Sequence, residues 1–207
     1  MQQEYLLQLT ALVLGASVAP LLSFAENSMV KKRGLEPMTV PKWTKFAGPA
    51  VCAVLFWLTL FQSVSGLQLA VRWSAVALCW LAAIFDYKYR LIPNSVVLGL
   101  LATGTVAQIF GCASADFFSA LAGFAVSGLL FIVPFIFGKT VGAGDVKLAA
   151  AVGFCAGLTG SLTVIVIMGM LILLYMLFIK GTVFEMLHTW VPMGPFVATA
   201  YLLFLIK

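Results

Sequence analysis

Long apolar runs separated by short polar clusters set the pattern of this chain. No Asp, Glu, Lys or Arg occurs in Phe46–Val71, Leu91–Ala115, Phe117–Gly138 or Leu148–Ile179, runs of 26, 25, 22 and 32 residues. A helix needs about 20 apolar residues to cross roughly 30 Å of hydrocarbon. Strands of a membrane barrel would alternate apolar and polar positions, and these runs do not. The pattern predicts an all-α fold, a polytopic transmembrane helical bundle.

Turn signals divide the runs into about eight membrane-spanning helices. Tyr5–Phe24 is the first, and a basic loop with Pro37 and Pro41 follows it from Glu26 to Lys45. Next come Phe46–Phe61, Leu67–Phe85, a helix from Pro93 to Gly111, and Phe117–Phe137. The stretch from Gly144 to Ile179 is too long for one crossing at about 1.5 Å per residue. Gly157-Leu158-Thr159-Gly160-Ser161 is its natural break, giving Gly144–Ala156 and Ser161–Ile179. Pro192–Ile206 is the last helix. The expected organisation is a single integral membrane domain over 1–207, with 1–45 as first helix plus basic loop and 46–207 as helical core. Ser23-Phe24-Ala25 resembles a signal cleavage site. But a signal carries positive charge before its apolar core, and here Gln2, Gln3 and Glu4 precede it while Lys31-Lys32-Arg33 follow. A retained helix with its N-terminus outside is expected.

Composition agrees. Hydrophobic residues make up 63% and charged residues 9% of the 207, with a mean hydropathy of +1.11, too few charges to solvate a globular surface. The net charge of +5 therefore points to membrane orientation rather than to nucleic acid. With the N-terminus outside, ten of the twelve basic residues fall on the cytoplasmic side, Arg72 and Lys207 being the exceptions. That is the asymmetry of the positive-inside rule, and Trp43 and Trp190 suit the aromatic belts. Cys52, Cys79, Cys112 and Cys155 lie in or beside apolar stretches without metal-ligand spacing, so they read as small core residues.

Acids decide the chemistry. Glu4, Glu26, Glu36, Asp116 and Glu185 fall in tails or loops, where a solvated side chain is expected. Asp86 and Asp145 sit where a cytoplasmic loop meets a helix, and carboxylates there are functional candidates because burial is costly without a partner or water. Asp145 ends Gly142-Ala143-Gly144-Asp145, whose glycines leave room for an extended peptide; a helix-capping role is the alternative. Asp86 precedes Ile92-Pro93-Asn94, and pairing with Lys88 or Arg90 is its alternative.

Gly-x-Gly-Asp opening a helix, an upstream Asp with Ile-Pro-Asn soon after it, and Pro192-Met193-Gly194-Pro195-Phe196 before the last helix together resemble the type IV prepilin peptidase family, which includes the preflagellin peptidases. The resemblance covers roughly residues 75–207. It implies an aspartic endopeptidase of the inner (cytoplasmic) membrane, with Asp86 and Asp145 as the catalytic pair. Gly142, Gly144, Lys147, Pro93, Asn94, Pro192, Gly194 and Pro195 would shape the site. The substrate implied is a prepilin, pseudopilin or archaellin precursor, cut where its short basic leader meets an apolar helix. No cofactor or metal is implied. Many members carry two Cys-x-x-Cys pairs in a large cytoplasmic loop; this loop has no cysteine, so the resemblance is to the smaller type and does not carry methylation of the new N-terminus.

Two carboxylates within reach of each other cannot both ionise cheaply, so they share a proton. The ionised one takes a proton from water and the protonated one polarises the scissile carbonyl. His188 is not required, and Lys147 is either a contact for a substrate carboxylate or a positive-inside anchor. A proton-coupled transporter and a non-enzymatic subunit of a pilus or secretion assembly are the competing readings. Transporters commonly show internal repeats and acids near the midplane, and neither pattern is evident here.

Overall fold

A computed structural model describes residues 2–32, 34, 50, 51, 53, 54, 56–58, 65–136, 141–180 and 193–206. Its helices are α1 (Gln2–Lys32), α2 (Gly66–Tyr89), α3 (Asn94–Ile109), α4 (Phe117–Ile136), α5 (Ala143–Lys180) and α6 (Gly194–Ile206), with further helical residues among 50–58. No strand occurs among the described residues. Among the described residues, four helical stretches are long and apolar enough to cross a membrane: Gln8–Lys32, Gly66–Tyr89, Phe117–Ile136 and Ala143–Phe178, the last interrupted at Gly157. The apolar α3 and α6 are shorter. Trp43, His188, Trp190 and Pro192 lie outside the described residues.

Local chemistry sets the helix ends. Ser65 accepts the Gln68 N–H at 3.4 Å and caps α2. Asp116, exposed in its loop as the sequence suggests, also accepts the Ser119 N–H at 3.2 Å ahead of α4, satisfying a donor that the helix itself leaves unpaired. Pro93 is fully buried and caps α3 rather than lying inside it. Proline suits a helix start because its missing N–H would have no partner there.

Gly157 breaks α5 with φ 73° and ψ 179°, a backbone that an L side chain rarely adopts. The Leu158 N–H, stripped of its helical partner, donates to Ser119 Oγ at 3.0 Å. The two arms then lie side by side. Ala149 and Met168 line the same cavity of about 10 Å³, though a straight helix would hold residues this far apart at about 28 Å. The break falls within the glycine pair expected from the sequence, and the second arm starts at once rather than at Ser161.

The first helix departs further from expectation. α1 continues eight residues past Phe24, and Glu26, expected in a solvated loop, is buried within it. The residues facing the bundle (Gly15, Val18, Leu22, Glu26, Met29, Val30) recur every three or four positions, so helical packing continues through the polar stretch. Similarly, α2 runs on to Tyr89, placing Asp86 in its last turn and not in a loop.

The core lies where α2, α3, both arms of α5 and α6 meet, around Phe85, Leu100, Leu148, Val152 and Val197. At one end of the bundle gather the end of α2 and the starts of α3, α5 and α6. At the other, Arg72, Cys112, Ser114 and Tyr201 line a cavity of about 30 Å³.

Candidate active site

Asp86 lies in the last turn of α2 and is 6% exposed. Its Oδ2 accepts the N–H of Gly194, the first residue of α6, at 2.7 Å. The first N–H groups of a helix have no internal partner and form its positive end. An acid from one helix thus caps another, 108 residues away. This approach requires glycine. A Cβ on Gly194 would stand 2.7 Å from Asp86 Cβ and 2.8 Å from its Oδ2.

Asp145 lies in the first turn of α5 and is 9% exposed. Its Oδ2 accepts the Gly142 N–H at 3.0 Å, and its own N–H donates to the Gly142 carbonyl at 3.0 Å. The turn is closed from both sides. Asp145 Oδ1 is buried and finds no hydrogen-bond partner among the described residues. The charge of Asp86 acts on Asp145, and that of Arg90, one helical turn beyond Asp86, acts on Asp86. Asp86 and Asp145 therefore share one electrostatic environment, each carboxyl held by one backbone N–H through Oδ2.

Ile92-Pro93-Asn94 supplies a wall of this end. A Cβ on Gly144 would lie 3.1 Å from Ile92 Cβ and 3.4 Å from Ile92 N, so a bare glycine lets the start of α5 rest on that segment. Lys147 Nζ donates to Asn94 Oδ1 at 3.2 Å, a second tie between α5 and α3. Pro195 is the second residue of α6, whose first turn closes as Phe196 and Val197 donate to the Met193 carbonyl at 3.0 Å each. The structure thus gathers Asp86, Asp145, Gly142, Gly144, Lys147, Pro93, Asn94, Gly194 and Pro195 at one end of the bundle, while Pro192 falls outside the described residues.

Lys88 is not the partner of Asp86. Its Nζ donates to Glu26 Oε1 at 2.8 Å, a pair that the sequence reading missed because it placed Glu26 beyond the helix. Neither cavity mentioned above is lined by either aspartate. Among the described residues no three His, Cys, Asp or Glu side chains converge as a metal site. A carboxylate oxygen without a partner among the described residues is of a kind that can accept a proton from water.

Fold and site together define an apolar helical bundle suited to a membrane, with two aspartates buried at one end. The chain belongs to the type IV leader peptidase family, whose model matches residues 73–177, just over half of it. Membership implies a protease. The matched region contains both aspartates and ends before Gly194. Comparison with curated proteins and with solved structures gives no match.

Proposed function

We propose that the chain is a membrane-embedded aspartic endopeptidase that removes the short leader from type IV prepilin-like proteins at the cytoplasmic face, using Asp86, Asp145 and a water. One observation carries this reading. Two acids are buried together, each fixed through one oxygen by a backbone N–H, with Asp145 Oδ1 left without a partner among the described residues. A structural acid would satisfy both oxygens, since an unpaired buried oxygen costs on the order of 1–3 kcal/mol. An oxygen kept free suits an acid that must meet water or a peptide carbonyl. In the reaction, one carboxylate takes a proton from the attacking water while the other donates to the carbonyl oxygen. As the C–N bond breaks, the proton taken from water passes to the departing amine, and the hydroxyl formed from the carbonyl oxygen returns its proton to the second carboxylate, so the pair regains its starting state.

The same reading places the whole chain as one domain in the inner (cytoplasmic) membrane, crossing about eight times with its N-terminus outside. Support comes from the basic side chains around the site. Lys88, Arg90 and Lys147 stand at the aspartate end, and Arg72 at the other, in keeping with the positive-inside rule.

The test is to incubate the detergent-purified protein with a prepilin-like peptide that retains its transmembrane segment. Leader release by the wild type, lost in Asp86→Asn and Asp145→Asn, is expected. Equal processing by either variant refutes the mechanism. Strong inhibition by a chelator would point to a metal instead. Cysteines placed at exposed Tyr87, beside Lys88, and at Ala115 should label from the cytoplasm and from outside respectively, and the reverse labelling would invert the topology.

A further inference from the structure

Besides the two aspartates, the described residues hold one more buried acid, Glu26, 6% exposed. Its Oε1 receives Lys88 Nζ at 2.8 Å, with the two side chains 8% and 16% exposed. Lys88 follows Asp86 by two residues, about 200° around the helix. The ion pair therefore grips the side of the last turn of α2 that faces away from Asp86. On its inner side that turn is held by buried Phe85 and by the Gly194 N–H on Asp86, and the ion pair adds a grip from the opposite side. The last carbonyls of a helix lack internal partners, and the chain leaves α2 at Arg90 in a left-handed conformation (φ 51°, ψ 39°). α1 is otherwise peripheral, with Leu9, Leu12, Val13, Leu21 and Phe24 exposed. Among the described residues, its bundle-facing contacts at this end are apolar except for Glu26 and the Ser95 Oγ bond to Met29 Sδ at 3.7 Å. A buried ion pair adds little net stability over apolar packing, and its best-attested use is to fix register. Apolar contacts would let α1 slide or rotate on α2, whereas this pair permits one depth and one rotation.

On the protease reading above, we propose that Glu26 and Lys88 form a positioning pair: α1 clamps the last turn of α2 from behind and so holds Asp86 at its working distance from Asp145. Neither residue meets substrate. A displacement of about 1 Å at a reacting group is enough to lower a rate about 10²-fold, so loosening this turn acts on the chemical step.

The experiment compares Glu26→Gln, Lys88→Met, Lys88→Arg and the exchanged double variant Glu26→Lys/Lys88→Glu in one detergent, with helix content and monodispersity checked. Steady-state cleavage of the transmembrane prepilin-like peptide is measured beside wild type and Asp86→Asn. Glu26→Gln and Lys88→Met should lose kcat about 10-fold or more with KM within about twofold, Lys88→Arg should keep most of kcat, and the exchange should recover it. Wild-type kcat in both folded single variants overturns the proposal, as does a raised KM at unchanged kcat, which would make α1 a substrate-docking element. If the singles do not fold, the exchange decides: folded and active supports the pair, folded and inactive overturns it. Undiminished cleavage by Asp86→Asn would instead sink the protease reading itself.

Discussion

Gly194→Ala is the smallest change that separates the proposed site from an ordinary helix contact. In an exposed helix the substitution would stabilise by about 1 kcal/mol, because alanine is the better helix former. Here the added methyl would lie 2.7 Å from Asp86 Cβ, against about 3.5–4.0 Å for unstrained carbon atoms. The start of α6 and the last turn of α2 must separate by about 1 Å. Overpacking of this kind costs about 1–3 kcal/mol. Weakening the 2.7 Å bond from the Gly194 N–H adds up to about 1.5–3 kcal/mol where the acceptor is charged. The clash wins over propensity, and it falls on the acid proposed to react. Cleavage of the transmembrane peptide should drop about 10²-fold or more in kcat, with the melting temperature in detergent also lower. Wild-type kcat in Gly194→Ala would show that α6 does not set the position of Asp86, and the site would have to be rebuilt without it.

Other consequences follow from the same geometry. Asp86→Asn and Asp145→Asn should each lower kcat by about 10²–10⁴-fold or more with helix content unchanged by circular dichroism. The pH–rate profile should be bell-shaped, falling at low pH where both acids hold a proton and at high pH where neither does; a profile with a single ionisation argues against proton sharing. Gly144→Val should destabilise by about 1–3 kcal/mol, because even its Cβ stands 3.1 Å from Ile92 Cβ; thermal melting in detergent measures it. Gly157→Ala should destabilise by at least about 1–2 kcal/mol, since φ there is 73° and the methyl would meet Ala115. A melt equal to wild type would show that the break tolerates other backbones.

The residues of the proposed site stood out in the sequence because charge is so scarce there. Asp86 and Asp145 are conspicuous among seven acids, and glycines beside one of them signalled close backbone approach. The break at Gly157 was legible for a similar reason, as a turn signal inside an apolar run too long for one crossing. Two features escaped. Glu26 looked like a loop acid because polarity rises after Phe24, yet the three-to-four spacing of bundle-facing residues carries α1 on to Lys32. The tie from Gly194 to Asp86 joins positions 108 residues apart, and no local pattern announces such a contact. Only the glycine at the start of α6 hints that another backbone comes close.

The lengths of the helices give the site its setting. α3 has 16 residues, about 24 Å at 1.5 Å per residue. The first arm of α5, Ala143 to Ala156, is of similar length. Neither of these matches roughly 30 Å of hydrocarbon. If their far ends stay level with the far interface, their starts lie below the near one, and it is at these starts that Asn94 and Asp145 gather with Gly194. Helix N-termini favour anions and offer N–H donors that α5 and α6 cannot themselves satisfy. On the proposed reading, short helices bring polar, positively polarised ends below the interface beside the buried acids, while the longer α1, α2 and α4 are long and apolar enough to span the membrane. If the proposed protease cuts beside the apolar helix of its substrate, such a placement would resolve a conflict: hydrolysis needs water, and the substrate needs lipid, at nearly the same depth.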